Sequence, residues 1–278
     1  MIGIFVLSAM LATLAPNACR PLDGVDTLLQ SESTRIIWVG EMHGTQEQPA
    51  LFGDMVCHAA RMGRPVIVAL ERDVEEQPAW DAFLASNGGR RARAAFLRTP
   101  SWTYYFQDGR SSLAMLQLAE DLRAARARGA PIDVKTFLPI ADAPARDTAE
   151  DRERRMAEAI LAISRARPDA LILVLSGNLH ASKGSNTRSK PPYRLAASFL
   201  PPDETRTIMV RGGQGEAWNC QGATCGPHPY RSSVGQPRGV VLGGESSGYD
   251  GEAFTGSATS YSPPAARPPT PVLLAPTP

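Results

Sequence analysis

The stretch that decides the fold is Arg35-Ile36-Ile37-Trp38-Val39, followed at once by Gly40-Glu41-Met42-His43-Gly44-Thr45. Its first half is a short apolar run rich in β-branched residues, which is typical of a strand buried on both faces of a parallel sheet. Its second half is a glycine-flanked turn that carries a carboxylate and an imidazole. The stretch therefore predicts both a fold class and the place in that fold where polar chemistry is concentrated.

Further segments continue this pattern along the chain. Apolar runs predict strands at 65–70 and 170–175, with a weaker one at 132–137, and in-phase apolar residues predict helices at 50–62, 76–84, 111–128 and 148–167. A short helix at 195–200 and a last strand at 205–210 follow. Strands that alternate with helices indicate a three-layer α/β domain with a mainly parallel sheet flanked by helices. We expect one such domain over residues 19–226.

The end of the chain differs in composition. Residues 227–278 are a low-complexity, Pro/Gly/Ser-rich segment, and from Gly244 onward few large apolar side chains remain. Such a segment buries too little surface to offset the entropy lost on ordering. The composition therefore predicts a disordered C-terminal tail.

Residues 1–18 resemble a secretory signal peptide. The apolar run at 2–15 is shorter than the ~20 residues that span a bilayer. Export to the periplasm or the extracellular space is expected, with no integral membrane segment in the mature chain. No Lys or Arg precedes the run, so a buried N-terminal helix or strand, or a start codon further upstream, is the alternative. Lipid attachment at Cys19 is disfavoured because Pro16-Asn17-Ala18 lacks the apolar residue that usually lies three positions before such a cysteine.

The four cysteines fit an exported protein with two disulfides. Cys220 and Cys225 are close enough in sequence to close a small loop, which leaves Cys19 and Cys57 as the other pair. Three pairings exist, and the spacing does not choose among them. Half a zinc site formed by Cys220, Cys225 and His228 is the less favoured alternative, because no second Cys/His pair follows.

Charge and motifs exclude several classes of function. With 29 Lys and Arg against 28 Asp and Glu, the net charge is +1, and no block of like charge indicates a nucleic-acid or polybasic membrane surface. The chain has no Gly-x-Ser-x-Gly elbow, P-loop, HExxH helix or Rossmann glycine fingerprint. The commonest serine-hydrolase, nucleotide-binding and zincin interpretations therefore lose their main support.

Titratable side chains follow three of the predicted strands. Glu41 and His43 follow the first, Glu71 the second, and His180 lies shortly after the strand at 170–175. The carboxyl ends of parallel strands form the ligand-binding edge of such a sheet, and imidazole is the usual acid/base group at neutral pH. Taken singly, Glu71 could cap a helix or pair with Arg72, and the others could be structural. Their joint placement favours one site.

Other residues are secondary candidates. Arg110, just before a predicted helix with a serine N-cap, could clamp an anionic substrate group or hold a site carboxylate, and Asn178 is a further binding candidate. Lys183 is a weaker candidate. An aromatic cluster could roof the cavity or simply pack: Trp102, Tyr104, Tyr105 and Phe106.

In order and spacing, these residues resemble a known superfamily. The matching segments are Trp38-Val39-Gly40-Glu41-Met42-His43-Gly44, Val68-Ala69-Leu70-Glu71, Arg155-Met156-Ala157 and Leu175-Ser176-Gly177-Asn178-Leu179-His180-Ala181. The superfamily joins erythromycin esterases, Tiki metalloproteases, TraB-like proteins and haem-binding ChaN lipoproteins, and the chain is most similar to the ChaN-like exported branch. The resemblance implies an α/β domain with Glu41, His43, Glu71 and His180 in its site, and Arg110 as a looser match. Relatives often carry an Asp after the third strand, where this chain has Phe137-Leu138-Pro139.

Two functions follow as hypotheses. The first is a hydrolase of ester or amide bonds in small molecules or peptides, in which Glu41, His43, Glu71 and His180 orient a water. A divalent Zn or Mn ion bound by those four residues could activate it, or His43 or His180 could act as general base without metal. The second is a haem-binding uptake protein, with iron ligands among Tyr104, Tyr105 and His58. A decayed site that only binds is a third, less favoured interpretation.

Overall fold

The structure is a computed structural model, and it describes residues 19–31, 33–104, 106–139, 147–222, 224–232, 235–243 and 248–266. The helices are α1 (Val25–Leu29), α2 (Glu47–Ala60), α3 (Gln77–Ala85), α4 (Arg90–Phe96), α5 (Pro100–Thr103), α6 (Leu113–Ala127) and α7 (Ala149–Ala166). The strands are β1 (Ile36–Glu41), β2 (Val66–Asp73), β3 (Ile132–Leu138), β4 (Leu171–Gly177), β5 (Ser185–Asn186), β6 (Tyr193–Arg194), β7 (Thr205–Gln221), β8 (Thr224–Tyr230), β9 (Gly239–Leu242) and β10 (Gly251–Thr259). Short 3-10 helices lie at Val74–Glu76 and Ala196–Phe199.

One eight-stranded sheet organises the chain. Its order is β3-β2-β4-β1-β7-β10-β9, with β8 paired to β7, while β5 and β6 form a separate small hairpin. In this order, every neighbouring pair from β3 through β2, β4, β1 and β7 to β10 is parallel. β8 runs antiparallel to β7, and β9 runs antiparallel to β10. The predicted α/β class with a mainly parallel sheet is confirmed, and so are the four strand predictions before residue 180.

Helices cover both faces of the sheet, as a strand buried on both faces requires. Alternate residues of β1 point to opposite sides: Ile37 and Val39 join a core with α2, α3 and α6, whereas Ile36 and Trp38 join a core with α7. α7 begins at a capping box in which Thr148 and Asp151 bond each other's backbone N–H. α4 and α5, short helices between β2 and β3, were not predicted.

The prediction of a disordered tail is wrong for the described part of the C-terminal segment. β10 lies between β7 and β9 and bonds to both. β10 approaches β7 closely, since a Cβ on Gly215 of β7 would come within 1.8 Å of the Thr259 carbonyl oxygen, and it buries Ala253 and Phe254. The segment is therefore ordered by backbone pairing and by the burial of a few side chains, which composition does not reveal. The signal-peptide prediction, residues 244–247 and residues 267–278 lie outside the described residues.

Both predicted disulfides form. The N-terminal disulfide joins Cys19 to Cys57 on α2, and the hairpin disulfide joins Cys220 to Cys225 near the tip of the β7–β8 hairpin. Since both cysteines of the zinc alternative are in a disulfide, that alternative is wrong. Two disulfides are consistent with an oxidising compartment. Within the described ranges, no helix is long and apolar enough to cross a membrane.

Candidate active site

The turn after β1 is shaped by two glycines. A Cβ on Gly40 would come within 2.8 Å of the Asn178 Cα. Gly44 has φ +73°, and a Cβ on it would come within 1.9 Å of the Trp218 carbonyl oxygen. The Asn178 N–H donates to the Glu41 carbonyl at 2.8 Å, so the turn after β1 and the turn after β4 are joined through the backbone. This close approach brings the two predicted histidine segments to one point of the sheet edge.

His43 is held between two carboxylates. Its Nδ1 lies 3.0 Å from Glu41 Oε1, and its Nε2 lies 3.5 Å from Glu71 Oε2. Both carboxylates are buried, whereas the imidazole keeps 20% of its surface exposed. His43 therefore stands at the boundary between the protein interior and the open side of the site.

Glu71 is the centre of the site. Its Oε2 accepts a hydrogen bond from the Gly177 N–H at 2.8 Å, and its Oε1 accepts one from Arg110 Nη1 at 3.3 Å. His180 Nε2 lies 3.9 Å from Oε1, too far for a direct hydrogen bond. One carboxylate thus faces both histidines and one arginine.

Arg110 holds site carboxylates, one of the two roles predicted for it. It is bonded to Glu71 and, through Nε and Nη2, to Asp108 at 2.9 and 2.8 Å. Glu71 does not pair with Arg72, so that structural alternative is wrong. Arg72 is buried and instead binds Glu76 at 3.2 Å and the Arg110 carbonyl at 2.7 Å, which fixes the loop that presents Arg110.

His180 has its own buried partner, Glu153 on α7. The His180 Nδ1 lies 2.9 Å from both oxygens of Glu153, and the Ala196 N–H donates to the same carboxylate at 2.9 Å. Only 5% of the Glu153 side chain is exposed. The sequence prediction missed Glu153, although a signal existed: on α7 it lies in phase with the buried Met156, Ala157 and Ile160.

These contacts perturb the histidine and carboxylate ionisations. Burial alone would lower the pKa of His43, but Glu41 and Glu71 outweigh it and raise the pKa to about 10. Burial would raise the pKa of Glu71, but His43, His180 and Arg110 together lower it well below its usual range. At neutral pH the site therefore holds an ionised Glu71 beside a protonated His43.

The other two groups shift as well. Burial would lower the pKa of His180, but its hydrogen bond to Glu153 and the charge of Glu71 raise it. Burial raises the pKa of Glu41 despite the neighbouring His43. Glu41 Oε2 is buried and has no hydrogen-bond partner, which agrees with a carboxyl that takes up a proton readily.

The remaining candidates lie as follows. Asn178 contributes backbone groups, its N–H to Glu41 and its carbonyl to the Tyr249 hydroxyl. Lys183 binds Asp250 at 2.7 Å and the Thr205 carbonyl, so its ammonium is used in the scaffold. Phe137, at the position where relatives often carry an Asp, is buried edge-on against the Trp38 ring.

Of the residues predicted as haem ligands, the structure describes His58 and Tyr104. His58 is on α2, and its Nε2 lies 3.0 Å from the Arg20 carbonyl oxygen. Tyr104 is exposed at the surface, and Tyr105 lies outside the described residues. Haem binding stays a prediction.

The four donors predicted for a metal are paired with one another and with Glu153 and Arg110. Among the residues that the structure describes, no group of three or more His, Cys, Asp or Glu side chains is placed to hold a metal ion. As arranged, the site is a hydrogen-bonded acid/base network and does not fit a metal centre. The Zn or Mn version stays a prediction.

Comparison with known proteins identifies the fold. No family model and no curated protein matches the chain. Among solved structures, it is similar to a mutant of the erythromycin esterase EreC in its open conformation, with TM-score 0.60, 11% identity, and 85% of this chain and 91% of that chain covered. It is also similar to a succinoglycan biosynthesis protein (0.56, 10%, 76% and 74%) and to the type III effector HopBA1 (0.51, 14%, 87% and 98%). At these identities the likeness shows a shared fold.

Proposed function

We propose that the protein is a hydrolase of the erythromycin esterase/ChaN-like superfamily that uses His180 as general base. The observation that carries the proposal is the pair of acceptors formed by His180 Nε2 and Glu71 Oε1, 3.9 Å apart. That distance is too long for a direct bond and suits one water donating to both atoms. The water's free lone pair would then point into the open part of the site.

Glu153 prepares His180 for this role. Its buried carboxylate accepts from Nδ1, which fixes the tautomer in which Nε2 carries a lone pair. The same carboxylate stabilises the imidazolium that forms when Nε2 takes a proton, the role of the acid in a Ser-His-Asp triad. His180 and Glu153 therefore form a base dyad, with water in place of a serine nucleophile.

His43 and Glu41 act as positioning residues. With a pKa of about 10, His43 is protonated at neutral pH and is a poor base. It holds Glu71 from one side while Arg110 holds it from the other, so that Glu71 stays ionised and remains a hydrogen-bond acceptor. This division of roles assigns proton transfer to His180 rather than to His43.

The chemical step is addition of water to an ester carbonyl. The water oxygen bonds to the carbonyl carbon as its proton moves to His180 Nε2. When the tetrahedral intermediate collapses, the bond to the alcohol oxygen breaks and the His180 imidazolium returns that proton to it. One water is consumed, one acid and one alcohol are released, and no redox partner is involved.

The test is hydrolysis by residues 19–278 of 4-nitrophenyl butyrate, a 4-nitroanilide and erythromycin, the last chosen for the name of the EreC neighbour. We expect ester hydrolysis that His180→Asn and Glu71→Gln each reduce at least a hundredfold. His58→Asn, a histidine outside the site, is the matched control and should keep wild-type rates. Absence of turnover on all three substrates, or wild-type rates in His180→Asn, would refute the proposal. Loss of activity after exhaustive chelation would instead support the metal version.

A further inference from the structure

Three exposed apolar side chains lie on segments next to the site. Leu179 precedes His180 and is 42% exposed, Phe106 lies two residues before Asp108 and is 39% exposed, and Tyr261 is 37% exposed. We refer to Leu179, Phe106 and Tyr261 as the apolar rim. Each lies on a different segment, and apolar side chains around a cleft are the usual lining for an apolar ligand group.

The three segments of the apolar rim converge on the turn that carries His43. Tyr261 forms a β-bridge with Thr45, and its ring lies 6.3 Å from that of Trp218. Trp218 in turn donates from its backbone N–H to the Gly44 carbonyl and from Nε1 to the Gln107 carbonyl, both at 2.9 Å. The segment of Phe106 is thus connected to that of Tyr261 through one indole, and Leu179 flanks the catalytic histidine from the opposite turn.

The charges at the base of the site disfavour an anionic substrate. In the described part of the chain, every cationic group placed at this site is already paired: Arg110 with Asp108 and Glu71, and protonated His43 with Glu41 and Glu71. Glu71 and Asp108 both present carboxylates to Arg110 here, and carboxylates with their ordinary pKa of about 4 are ionised at neutral pH. A carboxylate on the substrate, in addition to its ester group, would meet this negative charge without a partner cation.

From these observations, and on the basis of the proposed hydrolase function, we infer that the substrate is an uncharged ester with an extended apolar acyl or alkyl group. The carbonyl lies in front of the water that His180 and Glu71 hold, and the apolar group lies over the apolar rim. A methylene that is fully removed from water strengthens binding about fourfold. Because the rim side chains are themselves partly exposed to solvent, we expect a smaller gain for each methylene and about a tenfold gain in kcat/KM from a two-carbon to an eight-carbon acyl group.

Two substrate comparisons test the inference. The first compares 4-nitrophenyl acetate with the octanoate below its critical micelle concentration, and the second compares the uncharged butyrate with the anionic hemisuccinate of similar size. We expect kcat/KM to rise about tenfold in the first comparison and to fall at least tenfold in the second. A flat chain-length profile, or equal rates for butyrate and hemisuccinate, would overturn the inference while leaving the proposed hydrolase intact.

Matched variants locate the effect. Leu179→Ser and Phe106→Ser should reduce the octanoate-to-acetate ratio to about a third of its wild-type value or less. Met62→Ser is the control, because Met62 is equally exposed, at 41%, but lies beyond the C-terminal end of α2, at the opposite end of the sheet. An unchanged ratio in both rim variants, or an equal loss in Met62→Ser, would contradict the assignment of the rim.

A binding measurement does not depend on turnover. Trp218 is the half-buried indole beside Tyr261, whereas Trp38, Trp80 and Trp102 are buried. Titration with methyl octanoate should change tryptophan fluorescence at a lower concentration than methyl butyrate does, and Trp218→Phe should abolish the change. If hydrolysis is absent but this binding is found, the rim inference stands and the proposed hydrolase fails. If methyl octanoate and methyl butyrate act alike, the rim inference fails.

Discussion

Replacement of Glu153 by Gln is the sharpest test of the base dyad, because it removes a charge while it keeps the shape. The Glu153 carboxylate accepts from His180 Nδ1 and from the Ala196 N–H. A glutamine has one acceptor oxygen and one NH2 group, so one of the two N–H donors loses its partner. The fold should be retained, since the side-chain volume hardly changes.

The size of the effect follows from the lost interaction. A hydrogen bond to a charged group contributes about 1.5–3 kcal/mol, and here it stabilises the imidazolium that forms in the transition state. At about 1.4 kcal/mol per factor of ten, Glu153→Gln should lower kcat roughly 10- to 150-fold when both proteins are measured above the pKa of His180. KM should change little, because Glu153 is buried behind the imidazole and away from the substrate side.

The pH dependence of kcat/KM shows in which direction the pKa of His180 changes. Glu153 raises the pKa of His180 against the effect of burial. Without it burial prevails, so the pKa of His180 falls, and the acid limb of kcat/KM, where the base becomes protonated, should move to lower pH. An ester-hydrolysis profile from pH 5 to 9 measures this shift. Glu150→Gln, one turn earlier on α7 and bonded to the Arg194 N–H at 2.9 Å, is the control.

Either of two results would refute the role of Glu153 in the base dyad. One is a kcat of Glu153→Gln within twofold of wild type. The other is a lowered kcat with an acid limb that stays in place or moves to higher pH, which would mean that Glu153 supports the fold of the site without acting on the base.

Three further predictions concern stability and folding. The pKa of folded His43 is raised from 6.5 to about 10, so the stability that protonated His43 contributes is fully present below pH 6.5 and is lost as pH rises to about 10. The Tm difference between wild type and His43→Asn should therefore shrink over that range, and a constant difference would contradict this. Cys19 and Cys57 are 38 residues apart, and replacing both by Ser should lower the free energy of unfolding, measured by urea denaturation, by about 4 kcal/mol. Removing the hairpin disulfide, with a separation of 5, should lower it by about 2 kcal/mol, and the reverse order would contradict a loop-entropy effect. A chain ending at Leu242 lacks β10 and should show no cooperative thermal unfolding by circular dichroism, whereas one ending at Ala266 should unfold like the full chain; cooperative unfolding of the shorter chain would show that β10 is dispensable.

The sequence predicted the sheet well where strands are buried on both faces. β1, β2 and β4 are dense in Ile, Val and Leu because helices cover both of their sides, so periodicity and composition agree. β10 escaped prediction because its stability comes from backbone pairing on two sides and from the close packing of small residues such as Ala253. The contacts with β7 join residues more than 40 positions apart, and they leave no local pattern in the sequence.

The four predicted residues lie together in the structure, but their partners were predicted only in part. Strand ends converge at one edge of a parallel sheet, so Glu41, His43, Glu71 and His180 could be placed together from their order alone. Glu153 could not, since it comes from the middle of a charged helix and reaches His180 across the sheet edge. The partner of Arg72 was also hidden. Glu71 and Arg72 are consecutive residues of β2 and so point to opposite sides of the strand, and Arg72 pairs instead with Glu76 in the following 3-10 helix.

The contact between the C-terminal segment and the first motif constrains the order of events during synthesis. The Ser262 N–H donates to the Gly44 carbonyl, and the Gln46 N–H donates to the Ser260 carbonyl, at 2.8 and 2.9 Å. A ribosome has therefore made more than two hundred residues after His43 before the turn that carries it gains these two bonds. Until then the nascent chain has its histidines and carboxylates but not the support that sets their spacing. Any activity of this site should therefore be absent from the growing chain and arise only after residue 262 is released.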